Sequence, residues 1–318
     1  MATPPRGPVP RVDPRRCTPS ARRRKDPLIA TAAPATRWLL IEQPGPWGHN
    51  ALRQSLLAPS VTSALAQACA ERGVRIQVIR RPPERAQPAR RRQWGYVDSG
   101  AQTRPTTWWG KYDQDAELLD LSLDGSQGTP STEPILLVCT HARHDACCAL
   151  FGRPVYSALA KDYPDNTWET SHVGGDRFAA NLVILPEGLY YGGLDGETAA
   201  RVLSAHTNGL IEGAHYRGGS SHSAPTQAAE HYLREHLGEW RINAVAALDL
   251  HQVDMARWVA RLAHVDGAEF DIEVATTHSA ALHRLTCSAA HPAAARLFEL
   301  LSLREMPTAG KRPPGRPG

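Results

Sequence analysis

Apolar residues in the first third of the chain predict a strand, a helix and a second strand. The run at residues 38–41 is fully apolar, which is typical of a buried strand. Residues 61–69 place apolar side chains at helical spacing, and Gly73 stands where a helix commonly ends. At residues 74–78 apolar and polar positions alternate, which indicates a half-buried strand. We therefore expect an N-terminal α/β unit over residues 36–123.

A second unit is predicted over residues 133–237. It begins with four consecutive apolar residues that lead into Cys139 and indicate an interior strand. The pattern then predicts a helix, an extended segment, a strand, its hairpin partner and a helix capped by Asp195, at residues 155–161, 167–172, 181–185, 189–192 and 195–206. This order of elements is expected of a thioredoxin-like α/β unit.

The flanking segments carry weaker patterns. Residues 1–35 are rich in Pro, Arg and Ala without a hydrophobic period, and we expect them to be a disordered basic tail. Residues 238–303 predict an α+β extension, with helices at 253–262 and 291–303 and paired strands near 270–274 and 283–287. Residues 304–318 are again rich in Pro and Gly and are expected to form a disordered tail.

Composition places the chain among ordinary globular proteins. Its 318 residues are 42% hydrophobic and 21% charged, without an apolar run long enough for a transmembrane helix. The arginine-rich start is not followed by the apolar stretch of a secretory signal. These features predict a cytoplasmic protein with no membrane partner.

The net charge of +4 hides an uneven distribution. Residues 1–37 carry nine basic and two acidic side chains, and most of the rest of the chain is mildly acidic. A further basic stretch, from Arg75 to Arg92, holds seven arginines and one acid. Such patches can attract nucleic acid, but this stretch has no interleaved aromatic residue to stack on bases. We therefore expect no nucleic-acid partner.

The candidate chemistry lies in two segments of the second unit. Cys139, Cys147 and Cys148 fall within ten residues, and His172 and Asp176 stand four apart in Ser-His-Val-Gly-Gly-Asp-Arg-Phe-Ala-Ala-Asn. Thiolates with imidazole can hold an iron–sulfur cluster, zinc or copper. The same residues also allow a thiol redox site, inert packing of the vicinal cysteines, or a hydrogen-bonded core histidine. The residues alone leave these alternatives open.

Two motifs nevertheless resemble a known family. The stretch from Cys139 through Asp145 to Cys148 and the ten residues from His172 to Asn181 are similar to the sucrase/ferredoxin-like family, whose members are thioredoxin-like ferredoxins. Later stretches at 191–192 and 216–230 also fit. The resemblance implies a thioredoxin-like ferredoxin domain with a 2Fe–2S cluster, preceded by a second, ligand-free thioredoxin-like α/β unit.

The resemblance also implies ligands. Cys139 and Cys148 match the two cysteines of the family, and His172 matches the first of two histidines in a His-x3-His arrangement. The second histidine position holds Asp176, which departs from the family pattern. Asp176 or Cys147 is then expected as the fourth ligand, or the cluster is labile or absent.

The implied function is one-electron transfer, with proton coupling at a histidine ligand. Its partners would be redox proteins, with a reductase as donor, and the chain would be an electron carrier rather than an enzyme with its own substrate. The two alternatives are a cluster-free thiol-disulfide oxidoreductase and a zinc-stabilised binding module. The word sucrase finds no support, because no sequence element marks the paired carboxylates of a glycosidase.

Overall fold

The computed structural model describes residues 13–81, 91–100 and 106–307. These residues form five α-helices and fourteen strands. The helices are α1 Cys17–Arg24, α2 Pro59–Glu71, α3 Ala146–Asp162, α4 Gly196–Thr207 and α5 Ala224–Leu237. The strands are β1 Arg37–Glu42, β2 Val74–Arg80, β3 Arg92–Asp98, β4 Thr106–Tyr112, β5 Thr129–Ser131, β6 Ile135–Cys139, β7 Thr167–Thr170, β8 Leu182–Leu185, β9 Leu189–Tyr191, β10 Tyr216–Gly219, β11 Val245–Gln252, β12 Arg257–His264, β13 Glu269–His278 and β14 Arg296–Glu305.

Ten strands form one mixed sheet in the order β10-β9-β8-β6-β7-β2-β1-β3-β4-β5. Strands β1 and β2 run parallel and are joined through α2, and strands β6 and β7 run parallel and are joined through α3. In the first half, β1 also pairs antiparallel with β3, which forms a hairpin with β4. In the second half, β6 pairs antiparallel with β8, which forms a hairpin with β9. The two halves thus repeat one strand order, as the two predicted α/β units require. They meet where β2 and β7 pair antiparallel.

Interior strands carry the apolar runs that the sequence shows. Every residue of β6 is buried, because the strand lies between two neighbours and is covered on its faces. One face packs against α3 and α4 through Leu136, Val138 and Leu159, and the other contributes to a second core around Trp168. The helix beginning at Asp195 is confirmed, with the Asp195 carboxylate accepting a hydrogen bond from the backbone N–H of Thr198.

The C-terminal part is a second sheet rather than the expected α+β extension. Strands β11 to β14 form an antiparallel sheet in sequence order, which packs on α5 through Leu233, Ile272 and Val274. The helices predicted at residues 253–262 and 291–303 are wrong, since both stretches contribute strands. Ala and Leu favour helix in isolation, but here the hydrogen bonds to β13 and the contact with α5 decide the backbone.

The strand predicted at residues 283–287 is also wrong. These residues belong to the long β13–β14 connection, in which His283 makes an isolated bridge to Ala293. The region between the two α/β units also contributes to the large sheet, because β5 adds to its edge beside β4.

The N-terminal segment departs from the expected disorder. Residues 13–35 contain α1, and the side chains of Cys17, Ala21 and Ala32 are buried. The segment is held by long-range hydrogen bonds, including one of 2.8 Å from the Thr18 hydroxyl to the Asp176 carbonyl oxygen. The rest of the predicted tails, residues 1–12 and 308–318, lies outside the described residues, as do residues 82–90 of the basic stretch and residues 101–105. Strand β14 extends to Glu305, so the predicted C-terminal tail begins later than residue 304.

Candidate metal centre

The candidate site forms where β6 ends and α3 begins. Cys139 is the last residue of β6, Cys148 lies in the first turn of α3, and both are buried. The side chain of Asp145 caps α3 by accepting a hydrogen bond of 2.8 Å from the backbone N–H of Cys147. Gly152 lets the helix lie directly on the strand, because a Cβ atom there would stand 2.1 Å from the Cys139 carbonyl oxygen. The cap and the glycine together hold the two thiols close to each other.

The loop after β7 brings an imidazole and a carboxylate to these thiols. The Nδ1 atom of His172 lies 3.0 Å from Oδ1 of Asp176. The Cys148 thiol donates a hydrogen bond of 3.2 Å to the same oxygen. The ligand atoms of Cys139, Cys148 and His172 all lie within 4.8 Å of one another. The structure therefore brings Cys139, Cys148 and His172 together, with Asp176, one of the two candidates for the fourth ligand, beside them.

The charges of these four groups depend on one another. A hydrogen bond from Cys148 lowers the pKa of Cys139 well below its usual value, whereas the same contact raises the pKa of Cys148. Burial lowers the pKa of His172, but its contacts with Asp176 and Cys139 outweigh burial and raise it to about 9. Burial raises the pKa of Asp176, and the contact with His172 outweighs it, so that the pKa lies below its usual value. The site thus concentrates negative charge that a bound cation would stabilise.

Two further histidines belong to the site. His141 donates from Nε2 to the carbonyl oxygen of Gly48 at 2.7 Å and accepts at Nδ1 the backbone N–H of His172 at 3.3 Å. It therefore fixes the start of the loop after β7 that carries His172 and Asp176, which we call the ligand loop. His144 stacks on His172 with ring centroids 3.7 Å apart, and its Nε2 atom lies 3.8 Å from Oδ2 of Asp176. The ligand atoms of His144, His172 and Asp176 also lie within 4.8 Å of one another.

Sequence reasoning gave no role to Arg217, which holds the ligand loop in place. Its buried guanidinium donates to the Gly174 carbonyl oxygen at 3.0 Å and to Oδ1 of Asn181 at 2.7 Å, and it also binds Thr31. Gly175 takes a φ of 80°, and a Cβ atom there would lie 2.3 Å from Nη2 of Arg217. The signal in the sequence that could have pointed to this role was an arginine inside an otherwise uncharged strand, β10. A buried arginine that binds backbone carbonyls leaves no periodic pattern in the sequence.

The structure places Cys147 in a different group. Its thiol lies 3.5 Å from Sγ of Cys287, and the ligand atoms of Cys17, Asp145, Cys147 and Cys287 lie within 4.8 Å of one another. Neighbouring residues of a helix point about 100° apart, so Cys147 and the following cysteine face different sides of α3. A hydrogen bond from Cys17 lowers the pKa of Cys147 to about 6. Asp176, rather than Cys147, therefore stands beside the thiol of Cys148.

The donor set fits a soft transition metal or an iron–sulfur cluster. Thiolate and imidazole are the ligands of such centres, and a carboxylate adds a harder donor. The Nδ1 atom of His172 is buried and faces Oδ1 of Asp176 at 3.0 Å, and it would offer a lone pair to a metal on losing its proton. Fold and site together define an α/β protein with a buried cysteine–histidine–aspartate centre at the end of an interior strand.

Comparison with known proteins places the chain in a family. The sucrase/ferredoxin-like family matches residues 28–218, more than half of the chain, and the chain belongs to that family. The match covers the repeated α/β units and every candidate ligand, namely Cys139, Cys147, Cys148, His172 and Asp176. The sequence-based resemblance is therefore confirmed at the level of the family.

Two curated relatives are similar over a shorter stretch, and both are named altered inheritance of mitochondria protein 32. The relative from Eremothecium gossypii is 31% identical over 110 residues, which are 30% of this chain and 35% of the relative. The relative from Candida glabrata is 28% identical over 101 residues, 27% of this chain and 32% of the relative. The chain thus spans about a third of the length of either relative. No solved structure matches the chain.

None of the helices within residues 13–81, 91–100 and 106–307 is long and apolar enough to cross a bilayer. The predicted cytoplasmic location stays a prediction.

Proposed function

We propose that this protein is a one-electron carrier that holds a 2Fe–2S cluster through Cys139, Cys148, His172 and Asp176. The observation that carries the proposal is the convergence of two thiols, one imidazole and one carboxylate at the end of β6. When bound, such a cluster accepts and donates single electrons, and its potential depends on ligand type, hydrogen bonds and solvent exposure. We infer that the half of the large sheet formed by β6–β9 is a thioredoxin-like domain and that the β1–β4 half is a repeat of it without ligands.

Burial favours electron transfer over thiol exchange. The side chains of Cys139 and Cys148 are at most 1% exposed, so a dithiol substrate has no access to either sulfur. Reactive cysteines of disulfide oxidoreductases lie in partly exposed places. A carrier needs no such access, because an electron moves to its partner without a covalent bond. The buried thiols therefore support the cluster over the thiol–disulfide alternative.

His172 and His144 give the centre its contact with solvent. They lie in a shallow cavity, which is also lined by Arg53, Arg75 and His49. The side chain of His172 is 23% exposed, whereas that of Asp176 is 6% exposed. A redox partner would approach on this side, and the arginines favour an acidic partner surface. We propose a reductase as electron donor.

His141 and Arg217 act as positioning residues for the ligands. His141 holds the backbone N–H of His172, and Arg217 holds the carbonyl oxygen of Gly174. Both bonds fix the loop before a metal arrives, so the donors need little rearrangement on binding. His144 covers His172 from the solvent side. Its ring is placed to exchange a proton with solvent near the centre.

The test is anaerobic purification of the full chain, followed by iron and sulfide assays, an absorption spectrum and electron paramagnetic resonance after dithionite reduction. We expect equal amounts of iron and sulfide and a resonance signal that differs from that of an all-cysteine cluster. A colourless chain that binds neither iron nor sulfide would overturn the proposal. Zinc bound by Cys139 and Cys148 without redox activity would favour the binding-module alternative.

Matched variants identify the fourth ligand. Asp176→Ala is expected to lose the cluster, whereas His144→Ala and Cys147→Ala are expected to keep it, because the Cys147 thiol faces the other group. A cluster that survives in Asp176→Ala but not in His144→Ala would assign the fourth position to His144 instead.

A further inference from the structure

A second group of thiols lies on the other side of the first turn of α3. The Sγ atom of Cys287 is 3.4 Å from that of Cys17 and 3.5 Å from that of Cys147. The Sγ atom of Cys17 is 3.7 Å from Oδ2 of Asp145. Cys17, Cys147 and Asp145 are buried, and Cys287 is partly buried. Three sulfurs and one carboxylate therefore surround a single point.

The residues of this group come from three distant parts of the chain. Cys17 begins α1, Asp145 and Cys147 stand at the start of α3, and Cys287 lies in the β13–β14 connection. The sequence positions of Cys17 and Cys287 differ by 270. A shared ligand would join the N-terminal segment and the β13–β14 connection to the domain that carries the first centre.

The distances suit tetrahedral coordination better than a disulfide. Bonded sulfurs lie about 2.05 Å apart, well below the 3.4 and 3.5 Å found here. Two sulfurs bound tetrahedrally at ~2.3 Å from zinc lie about 3.8 Å apart, and a sulfur and a carboxylate oxygen about 3.6 Å apart. The Cys17–Asp145 distance of 3.7 Å matches the second value, and the sulfur–sulfur distances fall a few tenths of an ångström short of the first. A movement of the three sulfur atoms apart by a few tenths of an ångström would make room for the ion.

Asp145 is already oriented for this role. Its Oδ1 atom accepts the backbone N–H of Cys147 at 2.8 Å. Its Oδ2 atom accepts the hydroxyl of Thr286 at 2.8 Å and the backbone N–H of Cys287 at 2.6 Å. Such bonds fix the direction of the carboxylate, as those around ligating carboxylates do. They also draw the loop that carries Cys287 onto α3.

The residues around this group would also balance the charge of a bound zinc ion and give the ion access to the site. Zinc with three thiolates and one carboxylate carries a net charge of −2. The adjacent cavity is lined by Arg15, Arg16 and Arg284 together with Asp13, Cys17 and Cys287, and Asp13 pairs with Arg15 at 3.1 Å, which leaves the lining with a net positive charge. The arginines would offset the negative charge, and the cavity gives the ion a path to its ligands.

We propose that Cys17, Cys147 and Cys287, with Asp145 as the fourth ligand, bind one zinc ion. All four positions are filled by protein, which is the arrangement of structural rather than catalytic zinc. The ion ties the N-terminal segment and the β13–β14 connection to the start of α3. This site is separate from the proposed cluster, and its existence does not depend on the proposed function.

The experiment measures metal content in the full chain purified under reducing conditions with zinc present. We expect one tightly bound zinc per chain in the wild type and none in Cys17→Ala or Cys287→Ala. Cys69→Ala is the matched control, because Cys69 is a buried cysteine in the separate core around α2 and should keep the ion. Cys139→Ala should also keep it, which distinguishes this site from the first centre.

Cobalt binding gives a second, spectroscopic readout. Titration of Co²⁺ into the metal-free wild type should produce the intense near-ultraviolet bands of thiolate-bound cobalt, which Cys287→Ala should weaken. Bound zinc should also protect Cys287, the most exposed of the three thiols, from alkylation. A zinc-free wild type, zinc retained in Cys287→Ala, or a disulfide between two of the three cysteines would each overturn the proposal.

Discussion

Replacing Gly152 by alanine tests how tightly α3 is seated on the strand that carries Cys139. In an exposed helix interior, Gly→Ala stabilises by about 1 kcal/mol because alanine loses less backbone entropy. Here the added Cβ atom would lie 2.1 Å from the Cys139 carbonyl oxygen and 3.1 Å from its carbon. The contacted atoms belong to the backbone of a central strand, which cannot turn away as a side chain would.

The clash should exceed the gain in helix propensity. Restoring an ordinary contact requires a movement of about 1 Å between α3 and β6. Overpacking of this kind typically costs about 1–3 kcal/mol, and a backbone contact belongs at the upper end of that range. After the gain in helix propensity of about 1 kcal/mol is subtracted, we expect Gly152→Ala to lower the free energy of unfolding by about 2 kcal/mol. Because Cys148 lies one turn before Gly152, the same movement should separate Cys148 from Cys139.

The assay is urea unfolding of the reduced, metal-free protein, followed by circular dichroism. Ser157→Ala is the matched control, because Ser157 is exposed on the same helix and its replacement changes propensity without a clash. The control should unfold at the same urea concentration as the wild type or a slightly higher one. A Gly152→Ala variant as stable as the wild type, or more stable, would refute the packing argument.

Three further predictions concern residues away from the thiols. Arg217→Met should cost about 3 kcal/mol in urea unfolding, because it removes a buried charged donor from several acceptors; a loss below about 1 kcal/mol would contradict that role. Asp195→Ala should cost about 1 kcal/mol by removing the cap of α4, and an unchanged unfolding midpoint would count against it. Burial lowers the pKa of His206 below its ordinary 6.5, so the unfolded chain binds its proton more readily and stability should be lost as the pH falls through 6.5. Urea midpoints of the wild type and of His206→Gln, measured between pH 7.5 and 5.5, check this. The midpoint of the variant should fall less than that of the wild type, and an equal fall in both proteins would contradict the prediction.

The sequence predicted the elements whose evidence is local. The apolar runs that became β1 and β6, and the cap at Asp195, are read correctly because burial and capping depend on adjacent residues. The four candidate ligands came from the family resemblance, and the structure brings them together. Spacing alone could not have done so, since strand, helix and loop each contribute donors whose proximity depends on the whole sheet.

The errors lie where distant contacts decide the structure. Residues 13–35 show no hydrophobic period, yet they are ordered by bonds such as that from the Arg22 guanidinium to the Ala179 carbonyl oxygen at 3.0 Å. The two helices predicted near the C-terminus are strands because α5 offers an apolar face for a sheet to cover. In both cases the determining partner lies far away in sequence, where a local window cannot include it.

The adjacent cysteines of α3 show how one short motif can serve two sites. Cys148 points to Asp176 and the proposed cluster, while Cys147 points to Cys287 and the proposed zinc. Asp145 serves both, since its cap fixes the helix start that positions each thiol. The Thr18 hydroxyl, next to Cys17, also binds the Asp176 carbonyl oxygen, so the segment held by one site contacts the loop of the other. Loss of the proposed zinc should therefore loosen the N-terminal segment, whereas the loop of the first centre stays held by His141 and Arg217.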